Sequence, residues 1–214
     1  MYPRTSVRGA KQTQVPAGRT ILQLHASIIR LQKNPANFEI MTIHEQLLKE
    51  NSKKNWNLVA KKIGTDKTLF KELMQIYFTD EDYMVLRASQ VMSDISDVHP
   101  ELLKPYLTKL IKHLNPDSID AVRRNTMRVF QTLDIPVELE GELFEKGMAY
   151  LKSATEPKAV KAFSMTVLRR ICEKYPDLCS ELIPQIEILL QESASPGLVS
   201  RGEKELKKLR GIQK

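Results

Sequence analysis

The chain has 214 residues, 42% apolar and 28% charged, so it can bury a core and stay soluble, and its eight glycines argue against a turn-dense β protein. No apolar run approaches the roughly 18 residues that a membrane-spanning helix requires. The net charge of +7 is unevenly placed: residues 1–40 hold six Lys/Arg against one acid, Glu39, while residues 41–214 hold 27 Lys/Arg against 25 Asp/Glu. A nearly balanced body gives no argument for nucleic acid from charge alone.

Residues 1–20, MYPRTSVRGAKQTQVPAGRT, contain no acid and almost no large apolar side chain, which predicts a disordered basic tail. Residues 21–40 predict a short amphipathic helix and a linker, with Ile21, Leu24, Ile28 and Leu31 at helical spacing. Three origins for these forty residues stay open: an upstream start, a basic docking arm, or an organellar transit peptide. Met41 then precedes Thr42-Ile-His-Glu45, the S/T-x-x-E pattern of a helix capping box.

From residue 42 onward the chain repeats. At a spacing of 38 residues, Met84, Val122 and Val160 align, as do Ala88/Thr126/Ser164, Val91/Val129/Val167, Met92/Phe130/Leu168 and Ile95/Leu133/Ile171. These columns fall at i, i+4, i+7, i+8 and i+11, one face of a helix, with a small residue where a neighbouring helix passes closely. A further 39 places bring Val199, Glu203, Leu206, Lys207 and Arg210 into the columns, and their charge predicts an end cap with no neighbour on that side. A second helix in each period is expected to start at proline: Pro100-Glu-Leu102, Pro136-Val-Glu-Leu139 and Pro176-Asp-Leu178. Its apolar rows read Leu102, Leu107, Leu110, Leu114, then Leu139, Phe144, Leu151, then Leu178, Ile183, Leu190.

Two helices per 38 residues predict an all-α fold, a right-handed α-solenoid of about five helix pairs, near 42–64, 66–98, 100–134, 137–174 and 176–211. In the degenerate first pair, Trp56, Val59 and Ile63 occupy core columns and Gly64 ends the helix. The stretch NPDSIDAVRRNTMRVFQTL resembles the second helix of a HEAT repeat, a Pro-Asp turn followed by Val-Arg and then small and leucine-like positions. Val122-Arg123 matches that pair and Val160-Lys161 matches it loosely, whereas Val85-Leu86-Arg87 and Val199-Ser200-Arg201 depart from it. The resemblance spans about residues 42–211, and with the tail and linker read from composition the chain divides into 1–20, 21–40 and a HEAT-like repeat domain over 41–214.

Such arrays usually line their concave side with the second helices. Opposite the apolar columns stand Leu86, Gln90 and Ser93, then Arg124, Arg128 and Gln131, then Ala162, Thr166 and Arg169, then Arg201, Glu205 and Lys208. Basic character grows toward the C-terminus, and the expected partner contacts are Arg124, Arg128, Arg169, Arg201 and Lys208. They suit an acidic protein or peptide, recognised through the bidentate guanidinium fork. The same rows also fit ordinary solvated helix faces.

The expected function is therefore a non-catalytic scaffold for a protein partner. The alternative is a nucleic-acid-binding solenoid using the basic tail and the C-terminal ridge. The double arginine is also similar to a stretch of the HEAT-like alkylpurine DNA glycosylases, a resemblance that implies tryptophans and a catalytic aspartate on the concave face. Here the single tryptophan, Trp56, lies far from Arg124 and in a core column, and Asp120 opens a helix, where an acid is expected anyway. No glycine-rich phosphate loop, HExxH or Ser/Cys–His arrangement occurs, so no catalytic residue is assigned. The four histidines are scattered and Cys172 and Cys179 form no CxxC, so no metal, cofactor or small-molecule substrate is expected. Plain thiols suit a reducing compartment, the cytoplasm, with organellar import through residues 1–40 as the other route.

Overall fold

The computed structural model describes residues 41–115 and 117–212, and the expected tail, amphipathic helix and linker over 1–40 lie outside them. All the described residues after Met41 belong to one compact unit, Thr42–Lys214. They form ten α-helices and no strand: α1 (Ile43–Lys49), α2 (Lys53–Ile63), α3 (Lys67–Thr79), α4 (Asp82–Ser96), α5 (Leu107–His113), α6 (Asp120–Val129), α7 (Glu140–Lys152), α8 (Lys158–Lys174), α9 (Cys179–Glu192) and α10 (Pro196–Ile212). Among the described residues no helix is long and apolar enough to cross a membrane.

Helices α1/α2, α3/α4, α7/α8 and α9/α10 pack as pairs in chain order, the short α5 packs only weakly on α6, and the even-numbered helices pack side by side along the whole unit. This is an all-α solenoid of two helical layers. The repeat columns are its core: all fifteen residues from Met84 to Ile171 in the five aligned columns are buried. Two helix starts and one stop follow their sequence signals. Thr42 and Glu45 cap α1 reciprocally, Asp66 accepts from the Thr68 and Leu69 amides, and Gly64 ends α2 at φ +48°, a conformation that favours glycine.

The proline starts differ from expectation. Pro100–Leu102, Val137–Leu139 and Pro176–Leu178 are single 3-10 turns, and α-helix begins only later. Between Pro100 and Leu107 a second 3-10 turn, Lys104–Tyr106, intervenes, because Pro105 removes an amide donor and biases the residue before it away from helix. In α9 the fully buried stripe is Cys179, Leu182, Ile186 and Leu189, while Leu178, Ile183 and Leu190 are half-buried, one position out of phase with the expected row. Leu190 nevertheless packs closely: a Cβ at Gly202 would lie 2.6 Å from its Cδ2, so the missing side chain lets α10 settle onto α9.

Candidate functional site

The row opposite the core columns runs along α4, α6, α8 and α10 and is mostly half-buried, with Ser93, Arg169 and Glu205 buried and Lys208 exposed. Arg124, Arg128 and Arg169 each reach the neighbouring even-numbered helix or its end, one repeat away. Arg124 on α6 donates to Gln90 Oε1 on α4 at 3.2 Å. Arg128, one turn later, donates to the Ser93 carbonyl at 3.1 Å and bonds the Ser93 hydroxyl, and its other nitrogen meets Asp97 at 2.5 Å, with Asp94 at 4.0 Å. On α8, Arg169 donates to Glu205 Oε2 of α10 at 2.6 Å and pairs with Glu173, and Thr166 donates to Glu205 Oε1 at 2.9 Å.

Arg201 reaches farther than the rest. Its Nη1 lies 2.8 Å from Thr166 on α8 and 2.9 Å from Gln131 Oε1 at the end of α6. A side chain on α10 that meets Gln131 at the end of α6 ties these three helices together on this side, hereafter the inner face. Lys208 is exposed, 4.0 Å from Glu205.

Four of the five basic residues singled out from the sequence, Arg124, Arg128, Arg169 and Arg201, are hydrogen-bonded along this row, with Lys208 beside it, and they are not equivalent. Arg169 is buried, 8% exposed, and neutralised by Glu205, itself 3% exposed. Arg128 is held between Asp97 and Asp94. Burial pushes the Asp94 carboxyl up, against the Gln90 hydrogen bond and the Arg128 charge that hold it down. Arg124 and Arg201 bond neutral oxygens, and no carboxylate pairs with them among the described residues. The sequence row did not show their counterions: Asp94 and Asp97 beside Arg128, and Glu205 beside the buried Arg169, come from neighbouring helices and their ends.

A second group of basic side chains lies outside the expected partner contacts. Arg87 donates to the Leu47 and Leu48 carbonyls at 2.6 and 3.2 Å, and Arg170 to the Phe130 and Leu133 carbonyls at 2.6 and 2.7 Å. Each satisfies carbonyls that a helix end leaves unpaired. Arg123, the arginine of the Val-Arg pair, bonds the Ser118 carbonyl, Asp120 and, at 2.8 Å, Glu156 of the next repeat. These are joints of the array.

The HEAT repeat domain family matches residues 43–209, most of the chain. This chain belongs to that family. A comparison with curated proteins and one with solved structures each return no match. HEAT repeats typically serve as protein-interaction scaffolds, and the family is generally non-catalytic. The HEAT geometry agrees with the residues present. Trp56 packs against the core, with its indole N–H buried and unpaired, and Asp120 is engaged by Arg123 at the start of α6. Among the described residues no group of three His, Cys, Asp or Glu could hold a metal ion. Cys172 and Cys179 are both buried, and burial, with the neighbouring Cys179, raises the Cys172 thiol far above its ordinary range.

Proposed function

We propose that this HEAT repeat domain is a non-catalytic scaffold that holds a protein partner along the inner face of α4, α6, α8 and α10. One observation carries the reading: the inner row contains two guanidinium groups, Arg124 and Arg201, whose charge no described carboxylate balances, set among arginines that are already neutralised. An acidic segment lying along the row would gain charge-assisted, bidentate bonds from these two. Arg128 and Arg169 then shape the surface, and Lys208 is a peripheral contact. The self-neutralised row favours a protein over nucleic acid, whose binding rests on many unbalanced cations along a phosphate backbone. A reducing cytoplasm suits the two buried thiols.

The test compares the full chain with Arg124→Glu/Arg201→Glu. Affinity capture from cell extract is quantified for both, and labelled single- and double-stranded oligonucleotides are titrated by anisotropy at two salt concentrations. Proteins retained by the wild type and lost by the double variant, without oligonucleotide binding, support the scaffold. Oligonucleotide binding that falls steeply with salt and is weakened by the double variant replaces it with the nucleic-acid reading.

A further inference from the structure

The two unbalanced guanidinium groups of the inner row are fixed in place, and each keeps one whole edge of its fork free. A guanidinium has five N–H donors. Arg201 spends both hydrogens of Nη1, one on Gln131 Oε1 at 2.9 Å and one on Thr166 at 2.8 Å. Its side edge, Nε with Nη2, has no partner among the described residues. Arg124 gives Nε to Asn125 Oδ1 at 3.3 Å and one Nη2 hydrogen to Gln90 Oε1 at 3.2 Å. Its end edge, Nη1 with the second Nη2 hydrogen, is likewise without a partner there. Each edge presents two parallel donors, the arrangement that a carboxylate accepts bidentately. Neutral oxygens already hold both side chains, so little rotamer freedom is left to lose on binding.

The stretch between the two forks offers no spare cation. Arg128, one turn after Arg124, faces Asp97 and Asp94. Gln131 uses its oxygen on Arg201 and donates to the Arg128 carbonyl at 3.3 Å. A ligand carboxylate over this stretch meets two carboxylates and gains no counterion of its own.

The separation of the forks follows from helix geometry. The Arg201 fork is anchored at Gln131, seven residues beyond Arg124, which is about 10 Å along α6. It arrives from the α8 side whereas Arg124 leans toward α4, an offset of about one interaxial distance, 8–10 Å. The two edges are therefore about 14 Å apart. An extended chain covers that distance in about four residues, and an even number brings both side chains to the same side.

We infer, resting on the inner-face scaffold proposed above, that the inner row reads an extended segment with two acidic residues four apart and uncharged residues between them. One carboxylate takes the end edge of Arg124 and the other the side edge of Arg201. The Nη1 bonds that tie Arg201 to Gln131 and Thr166 stay in place.

The experiment titrates the full chain with Gly/Ser peptides carrying two glutamates at separations of two, four and eight, and follows the Arg124 and Arg201 Nε–H signals by NMR. Companion peptides carry a single glutamate, a third glutamate midway in the four-residue spacing, or glutamine at both positions. The expected result is that separation four binds at least threefold tighter than two or eight, because a linker that does not match the span loses the second contact. The midway glutamate adds nothing, and the glutamine peptide shifts neither signal. Arg124→Gln or Arg201→Gln alone reduces the four-spaced peptide to the affinity of the single-glutamate peptide. Equal binding at all separations, or tighter binding with the midway glutamate, overturns the spacing and leaves the inner-face scaffold standing. Shifts at neither arginine, or undiminished binding by a folded Arg124→Gln/Arg201→Gln variant, overturn both. The peptide series needs only the wild-type protein, so it decides even if a variant does not fold.

Discussion

Arg169 and Glu205 sit in the inner row as a pair that is almost wholly withdrawn from water, and each also serves another group: Glu173 for Arg169, Thr166 for Glu205. Removing one partner leaves the other charged and buried. Glu205→Ala is therefore expected to cost about 3 kcal/mol in urea unfolding. The paired change Arg169→Met/Glu205→Leu should recover most of that loss, because a buried ion pair gains little over apolar side chains of similar size. If the double variant is as unstable as Glu205→Ala alone, the pair contributes through the surrounding hydrogen bonds. His113 offers a residue-scale prediction of opposite kind. Burial, and then the Lys109 charge, lower its pKa from the ordinary 6.5. The unfolded chain then binds the proton more readily than the folded one, so stability is complete above about pH 6.5 and falls as pH drops through the lowered folded value. An NMR titration of the His113 ring at or above 6.5, or stability that rises on acidification over this range, contradicts that account.

At the scale of elements, the joints are made by long basic side chains that close helix ends. Arg170 of α8 satisfies the Phe130 and Leu133 carbonyls where α6 stops. Arg170→Met keeps the apolar stem and removes both bonds, and thermal or urea unfolding should show a loss of about 2 kcal/mol. Hydrogen exchange should quicken at the end of α6 while α1 and α2 keep their protection. The repeat columns were legible because a buried helix face must recur every turn, so Met84, Val122 and Val160 mark equivalent positions without any structure. The phase of α9 was not, since Leu182, Ile183, Ile186, Ile188, Leu189 and Leu190 spread apolar character over a wide arc and only packing selects the inward stripe. The inner row was legible as a row. Its pairings were not, because Arg128 and Asp97 lie 31 residues apart and meet only through the azimuth at which two helices are set.

The curvature of the whole array is the property to which most of these contacts contribute. In a solenoid each repeat ordinarily touches only its neighbours, so stability and shape add up locally. The Arg201–Gln131 bond breaks that rule by joining the third repeat to the fifth, over the top of Thr166. It acts as a tie on the inside of a bend, where a short bond has most leverage on the spacing of the helices outside it. Arg201→Ala should leave helix content intact and cost only about 1 kcal/mol, yet open the array. Spin labels at Tyr83→Cys and Lys204→Cys report this directly. Both positions are exposed, and the native Cys172 and Cys179 are buried, which keeps them from the label. A longer and broader distance distribution after Arg201→Ala identifies the tie. An unchanged distribution means that the apolar columns alone set the bend, and that Arg201 is available to a partner without any change in shape.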